Sequence, residues 1–354
     1  MTSPNFKNVN FYIGIDTHLK NWTVTIRSTG IELKTFSMNP SASELNIYLN
    51  KHYPNGNYNI VYEAGFAGFS IYRNFKELGL SCIVVNPSDI PSTNKEKVIK
   101  RDPSDSRKLS RELENGSLKA IYVPDIVSEE LRSLMRLRFR YVQQQTRLKN
   151  RIKGFLHNYG IAIPKEYLSN TRWSKNFITW LENLQLTTEA GSFVLTDLVT
   201  QLKENRDGLK EILRQLRKES RKEHIAPIIK VLCSVPGIAF ITAMTLYTEI
   251  IDINRFKNFD NLASFVGLVP STYSSAETDY SRGITFRHNK FLRPLLIEAA
   301  WTAIRRDPAM SKKYFELCKN MSKQRAIIRI AKKLLRRIKH LWVEKEEYSF
   351  SLVA

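Results

Sequence analysis

The sequence is poor in three things. It carries only three cysteines in 354 residues, Cys82, Cys233 and Cys318, set far apart. Their spacing matches neither a disulfide framework nor a zinc motif, so a reducing cytosol is expected. It has no long uncharged apolar run and no secretory pattern at its start, which argues against a membrane span and weakens a membrane-surface reading. It is also short of acid, with 34 Asp and Glu against 55 Lys and Arg, a net charge of +21 and a pI near 9.8. That imbalance favours a polyanionic partner, with nucleic acid first.

The length allows two or three domains and a sizeable core. Charge is unevenly spread along it. Residues 1–120 hold 15 basic and 11 acidic residues, a net of +4, and the remainder holds a net of +17. The acids that could do chemistry therefore lie in front, and most of the attraction for a polyanion lies behind them.

Residues 11–15, 22–27 and 32–37 read as three consecutive strands, with a turn at Ser28-Thr-Gly30. A helix over 41–52 follows, with Ser41 or Ser43 available as its cap. Then come a strand at 58–63, a helix near 66–78 ended by Gly79, and a strand at 81–85 closed by Asn86-Pro87. Strands alternating with helices predict an α/β layer with some parallel pairing. The order resembles the RNase H-like fold. Asp16 and Glu63 each end a strand, and Asp102 and Asp105 are three apart at the start of a predicted helix, hence on one face. Four clustered carboxylates would repel one another without a cation between them. Oxygen-rich sites suit Mg²⁺, which serves phosphodiester chemistry. Taken singly, Asp16 and Glu63 could be strand-end acids facing water, and Asp102 and Asp105 could be helix-start acids favoured by the dipole.

Behind this region, residues 128–158 read as one long helix with Leu134, Leu137, Tyr141, Leu148, Ile152 and Phe155 at three-and-four spacing. Between Arg132 and Lys153 it has eight basic residues and no acid, among them Arg136, Arg138, Arg140, Arg147, Lys149 and Arg151. A second run over 195–223 keeps similar register, so the pair predicts a helical hairpin or coiled-coil arm, with a helical insertion between. Val235-Pro-Gly237-Ile238 resembles a helix-hairpin-helix turn, where glycine lets backbone approach a phosphate. The tail over 311–340 reads as one basic amphipathic helix, with Arg325, Arg329, Lys333 and Arg336 opposite Ile327, Ile328 and Leu334. A solvated basic face is the plainer account, and phosphate contact the sharper one. Trp301, Tyr273 and Tyr280 are expected as core or wall residues, and His18 and His288 as packing or surface residues.

The ordered set of motifs resembles one family, the DEDD-type insertion-sequence transposases or bridge-RNA-guided recombinases, related to the Piv-type invertases. The front match runs through Gly14-Ile-Asp16, Tyr62-Glu63-Ala-Gly65 and Lys100-Arg-Asp102-Pro-Ser-Asp105-Ser-Arg107. The back match runs through Val235-Pro-Gly237, Phe265-Val-Gly267, Ser274-Ser275, Arg282-Gly283 and Leu292-Arg293. The resemblance implies three parts: a RuvC-like (RNase H-like) α/β domain over 1–125, a coiled-coil arm over 126–226, and a mainly helical serine transposase domain over 227–354. It further implies Mg²⁺, with Mn²⁺ as a substitute, held by Asp16, Glu63, Asp102 and Asp105. The nucleophile falls on Ser275, with Ser274 as the alternative. Ala276 stands where the family has glycine, and His288 stands where it tends to have glycine.

Implied partners are donor and target double-stranded DNA, a non-coding guide RNA whose pairing chooses the sites, and further copies of the chain as a dimer assembling to a tetramer. The expected setting is the bacterial cytoplasm, at the nucleoid. Arg107, Gly237, Arg282, Arg287 and Arg293 join the arm and tail cations as candidate nucleic-acid contacts. Two rivals remain at this stage. One is a RuvC-like junction nuclease that hydrolyses DNA with water; the other is a non-catalytic nucleic-acid binder with structural acids.

Overall fold

The computed structural model describes residues 5–91, 102–168, 173–275 and 278–350, with backbone alone at 102–104 and 271–282. The chain forms two compact units, 1–123 and 124–354.

The first unit is a five-stranded mixed sheet. Its strands are β1 (Asn10–Thr17), β2 (Trp22–Ser28), β3 (Ile31–Met38), β4 (Asn57–Glu63) and β5 (Ser81–Val85), in the order β3-β2-β1-β4-β5. β1 and β2, and β2 and β3, pair antiparallel; β1–β4 and β4–β5 pair parallel. Helix α1 (Ala42–His52) is capped by Ser41, whose side chain accepts from the Glu44 N–H at 3.2 Å. Helix α2 (Ser70–Glu77) is shorter than predicted, because 66–69 form a turn rather than helix. Phe11, Ile13 and Ile15 of β1 pack with Leu45, Leu49 and Phe75 of these two helices. Each such side chain, fully buried, contributes about 1.5–3 kcal/mol.

The other face of the sheet takes α3 (Asp102–Glu114), where Leu109 packs on Val61 and Val85. Gly14 decides how close that helix comes. A Cβ at this position would lie 2.2 Å from the Ser106 carbonyl oxygen and 2.5 Å from the Ser110 nitrogen. Burial on both faces explains why β1 reads as a continuous apolar run.

The second unit opens with α4 (Ile126–Asn158), started by Asp125, which accepts from the Ser128 N–H at 2.8 Å. A short α5 (Lys175–Glu182) precedes α6 (Glu189–Glu219). Leu148, Ile152 and Leu156 of α4 share a core with Leu195, Val199 and Leu202 of α6 and with Phe177 of α5. Leu131 and Met135 share another with Ile212 and Leu216. Early α4 therefore meets late α6, so the predicted arm is an antiparallel pair. Leu137, placed by the sequence on the apolar stripe, is exposed, while Met135, Val199 and Ile212 fill the seam instead.

The rest of the unit comprises α7 (Ala226–Ser234), α8 (Phe240–Ile250), α9 (Phe259–Val266), the hairpin β6 (Pro270–Ser275) and β7 (Thr278–Ile284), and three closing helices. Those are α10 (Leu292–Arg306), α11 (Pro308–Cys318) and α12 (Lys323–Glu344). The tail predicted as one helix is thus two, separated at 319–322, with Ser322 capping the second. Ile327, Ile330, Leu334, Leu335 and Ile338 bury the inner face of α12. Among the described residues no helix is long and apolar enough to cross a membrane.

Candidate active site

β1 and β4 are parallel neighbours in register, Ile15 opposite Tyr62, so Asp16 and Glu63 follow at the same end of adjacent strands. Both are half-buried. His18 brings Nε2 to 3.3 Å from an Asp16 carboxylate oxygen. Tyr62, fully buried, donates from its hydroxyl to the Gly68 carbonyl (3.1 Å) and accepts from the Tyr72 N–H (3.2 Å), tying down the turn that follows Glu63.

The direction of α3 follows from three contacts. Thr25 lies opposite Gly14, and its hydroxyl is 2.8 Å from that of Ser106. Arg27 lies opposite Tyr12, and its Nε donates to Glu114 at 2.9 Å. Glu114 also accepts from the Gly30 N–H at 2.6 Å. Moving along β1 from Tyr12 to Asp16 therefore runs back along α3 from Glu114 towards Asp105 and Asp102. The helix brings its first turn to the end of the sheet where Asp16 and Glu63 stand. The Asp102 side chain lies outside the described residues, and Asp105 is half-buried. Four carboxylates are a hard-oxygen donor set, which fits Mg²⁺ or Mn²⁺. Among the described residues, no three His, Cys, Asp or Glu side chains are already gathered as a metal group.

Ser274 and Ser275 end β6, with Ser274 opposite Asp279 and Ser275 opposite Thr278, so Ser275 flanks the hairpin tip. Ala276, expected from the resemblance to stand in place of a glycine, lies outside the described residues. The base of the hairpin is fastened. Arg293 donates to the carbonyls of Gly267 (3.3 Å) and Thr285 (2.5 Å), and its guanidinium lies 2.8 Å from the His288 ring. A Cβ on Gly267, at φ +87°, would fall 2.2 Å from the His288 Cβ, so this glycine makes room for the histidine.

Glu249 was not singled out by sequence reasoning. It is 3% exposed, takes two hydrogen bonds from Arg136 (2.7 and 2.8 Å) and a third from the Asn289 amide (2.9 Å). Asn289 in turn accepts from the N–H groups of Phe291 and Leu292 at the start of α10. The available signal was a lone charge within the otherwise uncharged run of α8.

The remaining candidate cations differ in setting. Arg136 is bound to Glu249, Arg107 pairs with Glu32 at 3.0 Å, and Arg293 holds backbone. Burial pulls the Arg138 guanidinium below its usual pKa, and its Nε is buried without a hydrogen bond. Lys149 lies over the Trp173 ring, and its pKa is lowered by burial and by Arg206 and Lys153. Arg140, Arg147, Arg151, Arg287, Arg329 and Arg336 are exposed. The Arg282 side chain lies outside the described residues. Gly237, at φ +86°, has Ala299 of α10 where a Cβ would go, 2.4 Å from its carbonyl oxygen, which gives it a packing role independent of any phosphate.

Comparison with known proteins adds the family. Residues 13–161 match a family model described as Transposase, of the DEDD IS110 type, and residues 229–315 match one described as Transposase IS116/IS110/IS902 family. The chain is 31% identical over 241 residues to the y4qE protein of Sinorhizobium fredii, covering 68% of this chain and 57% of that one. It is 27% identical over 252 residues to the transposase for insertion sequence element IS1111A of Coxiella burnetii, covering 70% and 66%. It is 24% identical over 296 residues to the transposase for IS1533 of Leptospira borgpetersenii, covering 82% and 84%. The match thus spans less than two thirds of the first two relatives.

Proposed function

The chain belongs to the IS110 family of DEDD transposases, and from that premise we propose that it is an RNA-guided, site-specific DNA recombinase that moves a mobile element. The observation that carries this reading is the convergence of β1, β4 and the first turn of α3, each bearing a family acid, at one end of the sheet. The sheet is read as RNase H-like (RuvC-like).

The family is divalent-metal dependent in general; here Mg²⁺, or Mn²⁺, is assigned to Asp16, Glu63, Asp102 and Asp105. The ion would supply charge neutralisation at the scissile phosphate and a lower pKa for the attacking hydroxyl. The chain's own groups do the rest. Asp16 and Glu63 are fixed by paired strands, and α3 brings its two acids to them through the close approach at Gly14. The Ser275 hydroxyl forms a bond to phosphorus while the bond from phosphorus to the leaving strand breaks. The serine proton is lost, and the leaving strand's oxygen gains one. The resulting phosphoserine ester conserves the bond energy needed for rejoining. Ser274 and Ser275 are successive strand positions, which belong to opposite faces, so they are alternatives rather than a pair.

Donor and target DNA, a non-coding bridge RNA, and assembly from dimer to tetramer complete the reading. The net charge of +21 supports polyanionic partners. The test compares wild type with Ser275→Ala on supercoiled DNA carrying the element's ends, with guide RNA and Mg²⁺. Loss of both the covalent protein–DNA adduct and the joined product is expected. A full adduct in Ser275→Ala would move the nucleophile to Ser274, and cleavage with no adduct in wild type would favour the hydrolytic nuclease.

A further inference from the structure

An open groove of about 940 Å³ lies between the base of the β6–β7 hairpin and helices α11 and α12. Its floor is apolar. Leu268, Pro270 and Ile284 line the hairpin side, and Leu317, Met321 and Ile328 line the helix side. Its rim is cationic, with Arg325, Arg329 and Lys333 at every fourth position of α12, so on one face, and Arg336 most of a turn further on. Four helical residues rise about 6 Å, so Arg325 and Lys333 are about 12 Å apart along the axis.

The cations on this helix differ in their partners. Lys332 pairs with Asp260 at 3.3 Å and Arg337 with Asp307 at 2.6 Å. No ion pair engages Arg325, Arg329 or Lys333 among the described residues, and Arg325 and Arg329 are exposed. Three unneutralised charges in a row repel one another and lower stability unless something anionic meets them.

We propose that this groove seats a single nucleic-acid strand, with phosphates along Arg325, Arg329 and Lys333 and with sugars and bases against the apolar floor. The proposal rests on the recombinase reading in taking nucleic acid as the partner and Ser275 as the group that cuts. The apolar floor selects a single strand over a duplex. A duplex keeps its base faces stacked inside, so a concave apolar floor gains little from it. An unpaired strand exposes those faces and gains from covering them. The groove also begins where the serine hairpin begins. Pro270 and Ser275 are five strand residues apart, about 17 Å, so a strand leaving the groove along the hairpin reaches the serine within a few nucleotides. The groove would thus hold the flank of the strand that is cut.

The test measures fluorescence anisotropy of the full chain with a labelled oligo-dT strand and a labelled duplex of equal length across a salt series. The variant is Arg325→Gln/Arg329→Gln/Lys333→Gln, whose changes lie along the helix's groove-facing rim and should leave the melting temperature within about 2 °C. The expected result is a loss of single-strand affinity of at least about tenfold near 0.15 M salt, with the salt slope reduced by about 2, since each lost contact removes about 0.7. Duplex affinity should fall by a smaller factor. Ile328→Asn should weaken single-strand binding while leaving the slope unchanged. Wild-type affinity and slope in the triple variant would overturn the proposal, as would equal losses for strand and duplex. Tight binding of a labelled poly-glutamate peptide, lost in the same variant and unmatched by the strand, would reassign the groove to an acidic protein. The assay reads binding without cleavage, so its outcome stands whether or not Ser275 forms a covalent link.

Discussion

Asp16 and Glu63 end strands with a neighbour on each side and helices over both faces, whereas Ser275 ends a strand with a single partner in a two-stranded hairpin. An isolated hairpin is marginal by itself. The acids are therefore placed by the core of their own unit, and the serine takes its position from the fastening at the hairpin base. Arg293 with the Gly267 and Thr285 carbonyls, and Glu249 with Arg136 and Asn289, supply that fastening. The comparison teaches that the two halves of the proposed reaction are built to different tolerances. The acid end is fixed by paired strands, and the serine end is held at the base of its hairpin.

The largest effect that would sharpen this contrast is chemical. Asp16→Asn or Glu63→Gln is expected to lower DNA cleavage in Mg²⁺ by more than about 100-fold, since loss of an outer partner of a metal ligand already costs 10- to 100-fold. The thermal transition should barely move, because these side chains sit at the end of the sheet rather than in its core. Undiminished cleavage in Asp16→Asn would remove the acids from the chemistry and break the comparison.

Next come two changes that strike one unit each. Arg136→Ala leaves the Glu249 carboxylate buried with only the Asn289 amide, and should destabilise the second unit by about 3 kcal/mol. Gly14→Ala forces α3 off β1, and should cost the first unit about 1–3 kcal/mol. It should also lower cleavage, since the shifted helix carries Asp102 and Asp105. Unfolding followed by hydrogen exchange would assign each loss to its unit. A Gly14→Ala protein with wild-type protection in α3 would contradict the packing account.

A smaller effect depends on pH. Burial pushes the Asp307 carboxyl up, but hydrogen bonds from Tyr348, the Met310 N–H and Arg337 outweigh it and hold its pKa below the ordinary value. Asp307 also caps α11 by accepting from the Ala309 N–H at 2.8 Å. A carboxyl whose folded pKa is lowered adds stability above its unfolded pKa, near 3.8, and loses it as pH falls through the folded value. Asp307→Asn should therefore cost about 1–2 kcal/mol at neutral pH, and the difference from wild type should shrink below about pH 4. Urea melts at pH 7 and pH 3 measure it; an equal deficit at both would reject the charge argument.

Much of the first unit was legible because its signals are local. Strand runs ending in Asp16 and Glu63, a Ser41 cap and Gly79 after α2 mark boundaries through backbone chemistry. The direction of α3 was not legible, because it depends on Gly14 meeting Ser106 and Ser110 more than 90 positions away. In the second unit the apolar period locates the arm, but it favours Leu137 where the structure buries Met135, since 3.5 and 3.6 periods diverge slowly over a long helix. The break at 319–322 was hidden by flanking residues that continue a helical pattern. The serine hairpin lies inside a domain expected to be mainly helical, and Pro270 to Ile284 alternates too weakly in polarity to declare two strands. Glu249 shows the converse case, an anomaly in composition whose meaning appears only once Arg136 and Asn289 are placed beside it.

The central claim is that unit-one acids and a unit-two serine together cut DNA. Peptide mass spectrometry of the adduct trapped on element-end DNA with guide RNA and Mg²⁺ tests it most directly. The account predicts a nucleotide-phosphate mass on the peptide containing Ser274 and Ser275, localised to Ser275, and absent from Asp16→Asn. A modification mapped to any other residue, or an undiminished adduct in Asp16→Asn, would contradict it.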